Sequence, residues 1–335
     1  MNKYLRIWVC AIIMAWSLAL SASAADVVGS TDDPMMVGGG ARPLGMGRAY
    51  TAVVDDADAM FINPGGLANM KGPQAMSMFT NLLGDVYYTE FSGAIPFPFG
   101  TVGAGYISTG VNNIPTTGGL DADYYDSMLV LSYATPLGRY FSYYNNVFVG
   151  VNAKFYSRGF SGSINQYATG TSADVGVKYI FDQHTSIGIC RQNFLPVSFG
   201  GKLDINTDSG TVTESIAGMT KVGVVHRPEA FDQNLLLCLD ADLPAYSGRP
   251  VTLHAGTEWK MSKFFAIRGG LDQSIDPGNA EQTIVNPTYG VSFGYSGFRV
   301  DYAYHPYYND PSLATTYVSL SYQSEPWFAM KGTVE

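Results

Sequence analysis

The chain has 335 residues, a net charge of −9, only 14% charged residues, 13% aromatic residues and 38 glycines. Glycine therefore stands at about 11%, against ~7% in ordinary globular chains. An acidic chain without a Lys/Arg cluster excludes nucleic acid as a partner, and so low a charge content argues against a water-soluble globule.

The chain opens MNKYLRIWVCAIIMAWSLALSASAAD. Lys3 and Arg6 precede an apolar run to Leu20, and Ala22 and Ala24 form an A-x-A cleavage site, the pattern of a secretory signal peptide over residues 1–24. Cys10 lies inside the apolar run, too early to become a lipid-modified first residue of the mature chain. Cleavage removes Lys3 and Arg6 and takes the charge from −9 to −11. It leaves Cys190 and Cys238, which fall in different strands; spacing does not settle whether they pair. No Cys/His spacing resembles a zinc site, and neither metal nor cofactor is expected. No later stretch is apolar for 18 residues, so no transmembrane helix is predicted.

Residues 25–74 do not alternate. Arg42-Pro43 starts a helix predicted to run through Ala49, Ala52 and Val53, and Asn63-Pro64-Gly65-Gly66 must turn. Gly45, Gly47, Ala49 and Ala52 would let that helix lie close against a wall. A segment this short cannot fold alone and is easiest to place inside a barrel, as a hatch. Asp55, Asp56 and Asp58 follow it. A calcium loop would need the glycine and distal glutamate of an EF-hand, which are missing; a solvated helix end or ion pairs to a barrel wall is the other reading.

From residue 75 to 323 one theme repeats: 8 to 12 residues of alternating apolar and polar character, then a turn. Val251, Leu253, Ala255, Trp259 and Met261 share one face, against Thr252, His254, Gly256, Glu258 and Lys260. Phe298, Val300, Tyr302 and Tyr304 oppose Arg299, Asp301 and His305 in the same way. Period two means strands, and a polar second face means that one side meets water. About 14 such strands begin at residues 75, 86, 101, 126, 146, 172, 185, 218, 233, 251, 264, 287, 298 and 315. Connections at 182–184, 229–231, 262–263 and 296–297 are short, and those at 110–125, 159–171, 195–217, 275–286 and 307–314 are long. Short and long alternate as in an antiparallel up-and-down transmembrane β-barrel, all-β in class; the connections near 84–85 and 136–145 break the rule. Residues 324–335 follow the last strand as a tail, either partner-binding or without order of its own.

Lys154, Arg158, Lys178, Lys221, Arg227, Glu258, Lys260, Arg268, Asp272, Arg299 and Asp301, with His254 and His305, face the lumen in this reading. They serve either to bind a ligand head group such as a carboxylate or as cross-strand ion pairs and contacts to the hatch; the mixed signs favour the latter. No nucleophile stands at a recognisable spacing from either histidine, so an enzyme is not expected. Phe97, Phe99, Tyr140, Phe141, Tyr143 and Tyr144 fit an aromatic girdle at the turn side.

The string GARPLGMGRAYTAVVDDADAMFINPGGLA resembles the N-terminal signature of PorV/PorQ-type proteins, within the broader group of FadL-like outer-membrane barrels. That resemblance implies a hatch carrying an NPAGLA-like motif, here Asn63 to Ala68, inside a barrel of about 14 strands. Gly65 stands where alanine is usual, which would loosen the turn. The FadL-like branch implies a channel or binding protein for hydrophobic small molecules, with Arg42, Gly45, Gly47 and Asn63 to Gly66 as the gating hatch. The PorV-like branch implies a non-transporting scaffold or shuttle that engages secretion-system proteins of the type IX kind. Both place the chain in the bacterial outer membrane, with lipid around the barrel.

Overall fold

The computed structural model describes residues 30–31, 34–82, 84–117, 119–162, 166–207, 210–246, 249–276, 279–307, 312 and 314–324. The signal peptide expected over 1–24 and the tail from 325 onward lie outside the described residues.

The strands are β1 (Ser30–Thr31), β2 (Gln74–Leu82), β3 (Val86–Phe97), β4 (Gly100–Pro115), β5 (Asp121–Pro136), β6 (Val147–Gly162), β7 (Gln166–Ile180) and β8 (Thr185–Gln192). They continue as β9 (Lys202–Thr207), β10 (Gly210–Ile216), β11 (Met219–His226), β12 (Leu235–Pro244), β13 (Thr252–Lys260), β14 (Phe265–Asp276), β15 (Asn279–Tyr295), β16 (Phe298–His305) and β17 (Thr315–Gln323). Neighbours in sequence pair antiparallel from β2 to β8 and from β11 to β17; β8 pairs with β11, and β17 pairs with β2. The result is a closed barrel of 14 wall strands. Closure through β17 and β2 leaves the ring without a free edge strand.

The predicted loop 195–217 carries the hairpin β9–β10. β8 stops at Gln192, Asn193 takes a positive φ of 51°, and the chain loops out before β9 resumes pairing with β7 at Tyr167–Gly170. Residues 171–174 of β7 thus lack a regular strand partner on that side. β5, β7 and β15 begin earlier than expected, at Asp121, Gln166 and Asn279 rather than near 126, 172 and 287. Those extensions rise toward the long loops, where both faces meet water and no binary pattern marks a strand. The connection at 137–146 is long because two short 3-10 turns occupy it.

Outside, Phe91, Leu129, Val151, Leu239, Leu253, Phe293 and Val318 form part of a continuous apolar surface. Tyr140, Phe141, Tyr143 and Phe99 stand exposed at the short-turn end, and Phe97 and Phe99 stack at 5.2 Å.

Inside lies the N-terminal segment, residues 34–73. The long helix expected from Arg42 is not formed: α1 covers only Ala41–Leu44 and α2 only Ala59–Ile62. Gly47 and Arg48, with φ of 62° and 66°, turn the chain into the left-handed region and end helical propagation. What the segment gains instead is close approach to the wall. A Cβ on Gly270 would lie 2.2 Å from Gly47 N, one on Gly188 2.0 Å from Thr51 O, one on Gly150 2.4 Å from the Pro64 carbonyl carbon, and one on Gly176 2.1 Å from Asn63 Oδ1. Inward glycines of the wall thus let the segment's backbone sit flush on the strands.

Replacing Gly188 or Gly176 with valine should therefore cost the ~1–3 kcal/mol of an overpacked core or expel the segment. Thermal unfolding in detergent, with protease accessibility of residues 41–70, reads this out. Gly269→Ala, whose Cβ would meet nothing nearer than 3.9 Å, should leave both unchanged.

Candidate functional site

The filled lumen divides into two unlike halves. On the side of β12 to β16 it is ionic. Arg42 Nε and Nη2 donate to the Glu258 carboxylate at 2.8 and 2.9 Å, and Nη1 donates to Tyr50 Oη, Asp55 Oδ1 and Asp56 Oδ2 at 2.5, 2.6 and 3.2 Å. Arg268 Nε donates to Glu258 at 2.7 Å and its Nη1 lies 3.0 Å from Asp301 Oδ1. Arg299 closes the ring, donating to Asp301 at 2.7 Å and to Asp56 at 3.3 Å. A planar guanidinium with five donors suits this bidentate bridging of segment to wall. Burial alone would raise Asp55, but Arg42 and then Lys178 outweigh it and hold its carboxyl below the usual range.

Further along the axis a second cluster stands on the same side. His254 Nδ1 lies 2.8 Å from Asp272 Oδ1 and His305 Nε2 lies 2.7 Å from Asp272 Oδ2, while Lys221 pairs with Asp242. Arg48 of the segment is close enough to Asp272 and Asp242 to interact with both. Between the clusters, Asp240 Oδ2 accepts from Tyr50 N and Thr51 N at 2.9 and 2.7 Å, and Gly47 N donates to Thr288 Oγ1 at 2.9 Å.

On the side of β2 to β5 the lumen carries an apolar patch, with Gln74, Glu90, Ser92 and Asp126 as buried polar groups beside it. Met78, Ile107, Met128 and Val130 of the wall meet Met60, Leu67 and Met70 of the segment, all of them buried in one cluster. Methionine fills such space without fixing it, because its three rotatable bonds let it repack. Toward β6, β7 and β8 the contacts are neutral or lone-cation hydrogen bonds to segment carbonyls. Asn152 Nδ2 donates to Met60 O at 2.7 Å, Gln192 Nε2 to Phe61 O at 3.0 Å, and Lys178 Nζ to Val53 O and Val54 O at 2.7 and 2.8 Å.

The Asn63–Gly66 turn is held rather than loosened. Asn63 Nδ2 donates to Thr51 O and Val177 O at 2.9 and 3.0 Å, and its Oδ1 accepts from Gly65 N at 3.1 Å. Gly65 is pressed so close that a Cβ would lie 3.0 Å from Gly176 O, so the missing methyl relieves contact with β7.

The structure thus gathers Arg42, Glu258, Arg268, Arg299 and Asp301 into one cluster, and Lys221, His254 and Asp272 into another. Lys154 stands apart, 3.1 Å from Asp174, as does Arg158, 2.5 Å from Asp126, and Arg227 lies just past β11. Gly45 packs on Gly290 and Gly47 on β14. Asp240, Asn152, Gln192 and Glu90 were missed as site residues, although the alternation that assigns inward positions covers them. Cys190 and Cys238 are free thiols. No group of three or more metal-ligating side chains is found among the described residues. At the short-turn end a cavity of about 560 Å³ opens beside Arg42 and Asp55, rimmed by Lys71, Lys260 and Lys263.

These features define a class: a 14-stranded antiparallel barrel with an apolar exterior and a lumen filled by its own N-terminal segment. No protein-family profile matches the sequence, and no curated protein does. Solved structures do match in fold. They include the CymD monoaromatic hydrocarbon channel, with a TM-score of 0.59 at 13% identity over 90% of this chain and 99% of that one. The P. putida toluene transporter TodX gives 0.58 at 12%, over 85% and 98%, and a Pseudomonas aeruginosa FadL homologue gives 0.60 at 11%, over 85% and 98%.

Arg42→Ala should leave Asp55 without its ion-pair partner and Glu258 and Asp56 with Arg268 and Arg299 alone, and destabilise the chain by ~3–5 kcal/mol. Denaturant unfolding checks this, and Arg42→Met combined with Asp55→Asn should recover part of the loss, because the orphaned carboxylate is gone.

Proposed function

We propose that this chain is an outer-membrane channel for hydrophobic small molecules, with residues 25–74 as its hatch and 75–323 as its barrel. The observation that carries this reading is the split lumen. An apolar, methionine-rich seam between the hatch and β2 to β5, with Asp58 and Glu90 as the acids beside it, offers an apolar molecule a path lined largely by apolar side chains. The ionic half keeps the hatch anchored while the seam opens. The fold neighbours, a toluene transporter and a monoaromatic hydrocarbon channel, support the same class of cargo. Entry is from the long-loop end or past the interrupted pairing of β7, where a cleft of about 370 Å³ lies beside Phe155, Thr171 and Gly200. Exit is past a rearranged Asn63–Gly66 turn into the basic cavity at the short-turn end. Arg42, Gly45 and Gly47 hold the anchored part of the hatch, and the charged wall residues fix it rather than bind cargo. The role is transport, not catalysis.

A disulfide between Asn63→Cys and Gly176→Cys, in a chain whose Cys190 and Cys238 are alanine, tests the gate. Uptake of an apolar aromatic probe into vesicles should stop on oxidation and return on reduction. Unchanged uptake would contradict gating by this turn. A secretion scaffold, which the N-terminal string also favours, would instead retain protein-sized partners in native mass spectrometry.

A further inference from the structure

The apolar side of the lumen contains one feature that an inert packing surface would not keep. Asp58, at the start of α2, and Glu90, inward on β3, are both fully buried, at 0% and 1% exposure. Ser92 Oγ donates to Asp58 Oδ1 at 3.1 Å, and Gly40 N donates to Glu90 Oε2 at 3.2 Å. That leaves Asp58 Oδ2 and Glu90 Oε1 with no donor, and both carboxyl groups close on Gly40, whose N–H donates to Glu90 and on which a Cβ would lie 2.0 Å from Asp58 Oδ2. Neither is ion-paired with a Lys, Arg or His among the described residues. Two carboxylates cannot both stay ionised at such range in a dry site; one proton between them satisfies both orphaned oxygens.

We propose that Asp58 and Glu90 share one proton and so form a latch that fastens the N-terminal segment to β3, and that loss of this proton releases the segment along the apolar seam. The proposal deepens the channel reading and rests on it for its physiological meaning, not for its chemistry.

The surroundings fix the sign. Asp56 adds a third negative group nearby, with its own Oδ1 unpartnered. Arg299 acts on Asp58 from β16, but its hydrogen bonds go to Asp301 and Asp56. The Tyr88 hydroxyl beside Glu90 donates to Gly38 O at 3.1 Å. Burial, then Glu90, pushes the Asp58 carboxyl well above its ordinary range. A carboxyl raised in the folded state binds more protons there than when released, so its contribution is complete below about pH 4 and declines as pH rises toward the raised value. Alkaline conditions therefore open the latch and acid conditions close it. Position matters as much as charge: Asp58 is on the segment and Glu90 on β3, beside the Arg42 cluster but outside its ion pairs, so failure of the latch removes the tie to β3 and leaves the ties of Arg42 and Asp56 to β13 and β16 in place.

Single-channel conductance of the full chain in planar bilayers tests this. Between about pH 6 and about pH 10 the open fraction of the native chain should rise at least about tenfold, the effect of one unit of mismatch in proton affinity. Glu90→Gln and Asp58→Asn each replace the shared proton with an amide donor that cannot be titrated away. Both variants should stay closed throughout the range. A native chain that shows no rise, or variants that keep the rise, would overturn the latch. If the latch behaves as stated while vesicle uptake of apolar probes is absent, the channel reading fails and the latch stands.

Discussion

The structure depends on one contact above the others: the approach of the N-terminal backbone to inward-facing glycines of the wall. A ring of 14 strands encloses more volume than its own side chains fill. Filling it with a segment of the same chain requires that two backbones meet where side chains normally stand. Gly150, Gly176, Gly188 and Gly270 leave that room, and Gly47 answers from the other side. Much of the unusual glycine content serves this fit rather than flexibility.

From that fit follows the division of labour around the lumen. On one side segment and wall meet through carboxylates and guanidinium groups, as in Arg42 with Glu258 of the wall and with Asp55 and Asp56 of its own segment. Removing one partner there leaves a buried charge, so this side yields last. On the other side the wall supplies Met78, Met128 and Ile107, and the methionines lose little when they repack. The proposed hinge of the hatch rests on this contrast between an apolar seam and an ionic one.

The barrel itself was plain in the sequence wherever one face met lipid and the other the lumen. Alternation placed β2, β3, β4, β6, β8, β11, β13, β14, β16 and β17 within one residue of where they begin. It failed at the upper ends of β5, β7 and β15, where both faces are polar and no pattern survives. The N-terminal segment was legible in composition but not in conformation. Arg42-Pro43 signalled a helix, yet Gly45, Gly47 and Arg48 serve packing against β14 and β15 and stop it after four residues. The site was half legible. Alternation gives which way Arg268 or Asp301 points, but not that Arg42 lies across from Glu258, more than 200 residues away, since nothing local encodes that pairing. Asp58 and Glu90 show this most clearly, for each alone looks like an ordinary acid.

Hydrogen exchange of the N-terminal segment at fixed pH, with and without an apolar aromatic probe, distinguishes a one-sided release from any other. Amides of residues 57–70, along the apolar and hydrogen-bonded side, should lose protection first when the probe is present. Those of Gly47, Tyr50 and Thr51, bonded to Thr288 and Asp240, should stay protected. Loss of protection that begins at residues 41–51, or that runs through the whole segment as one unit, would contradict a segment anchored on one side and released on the other.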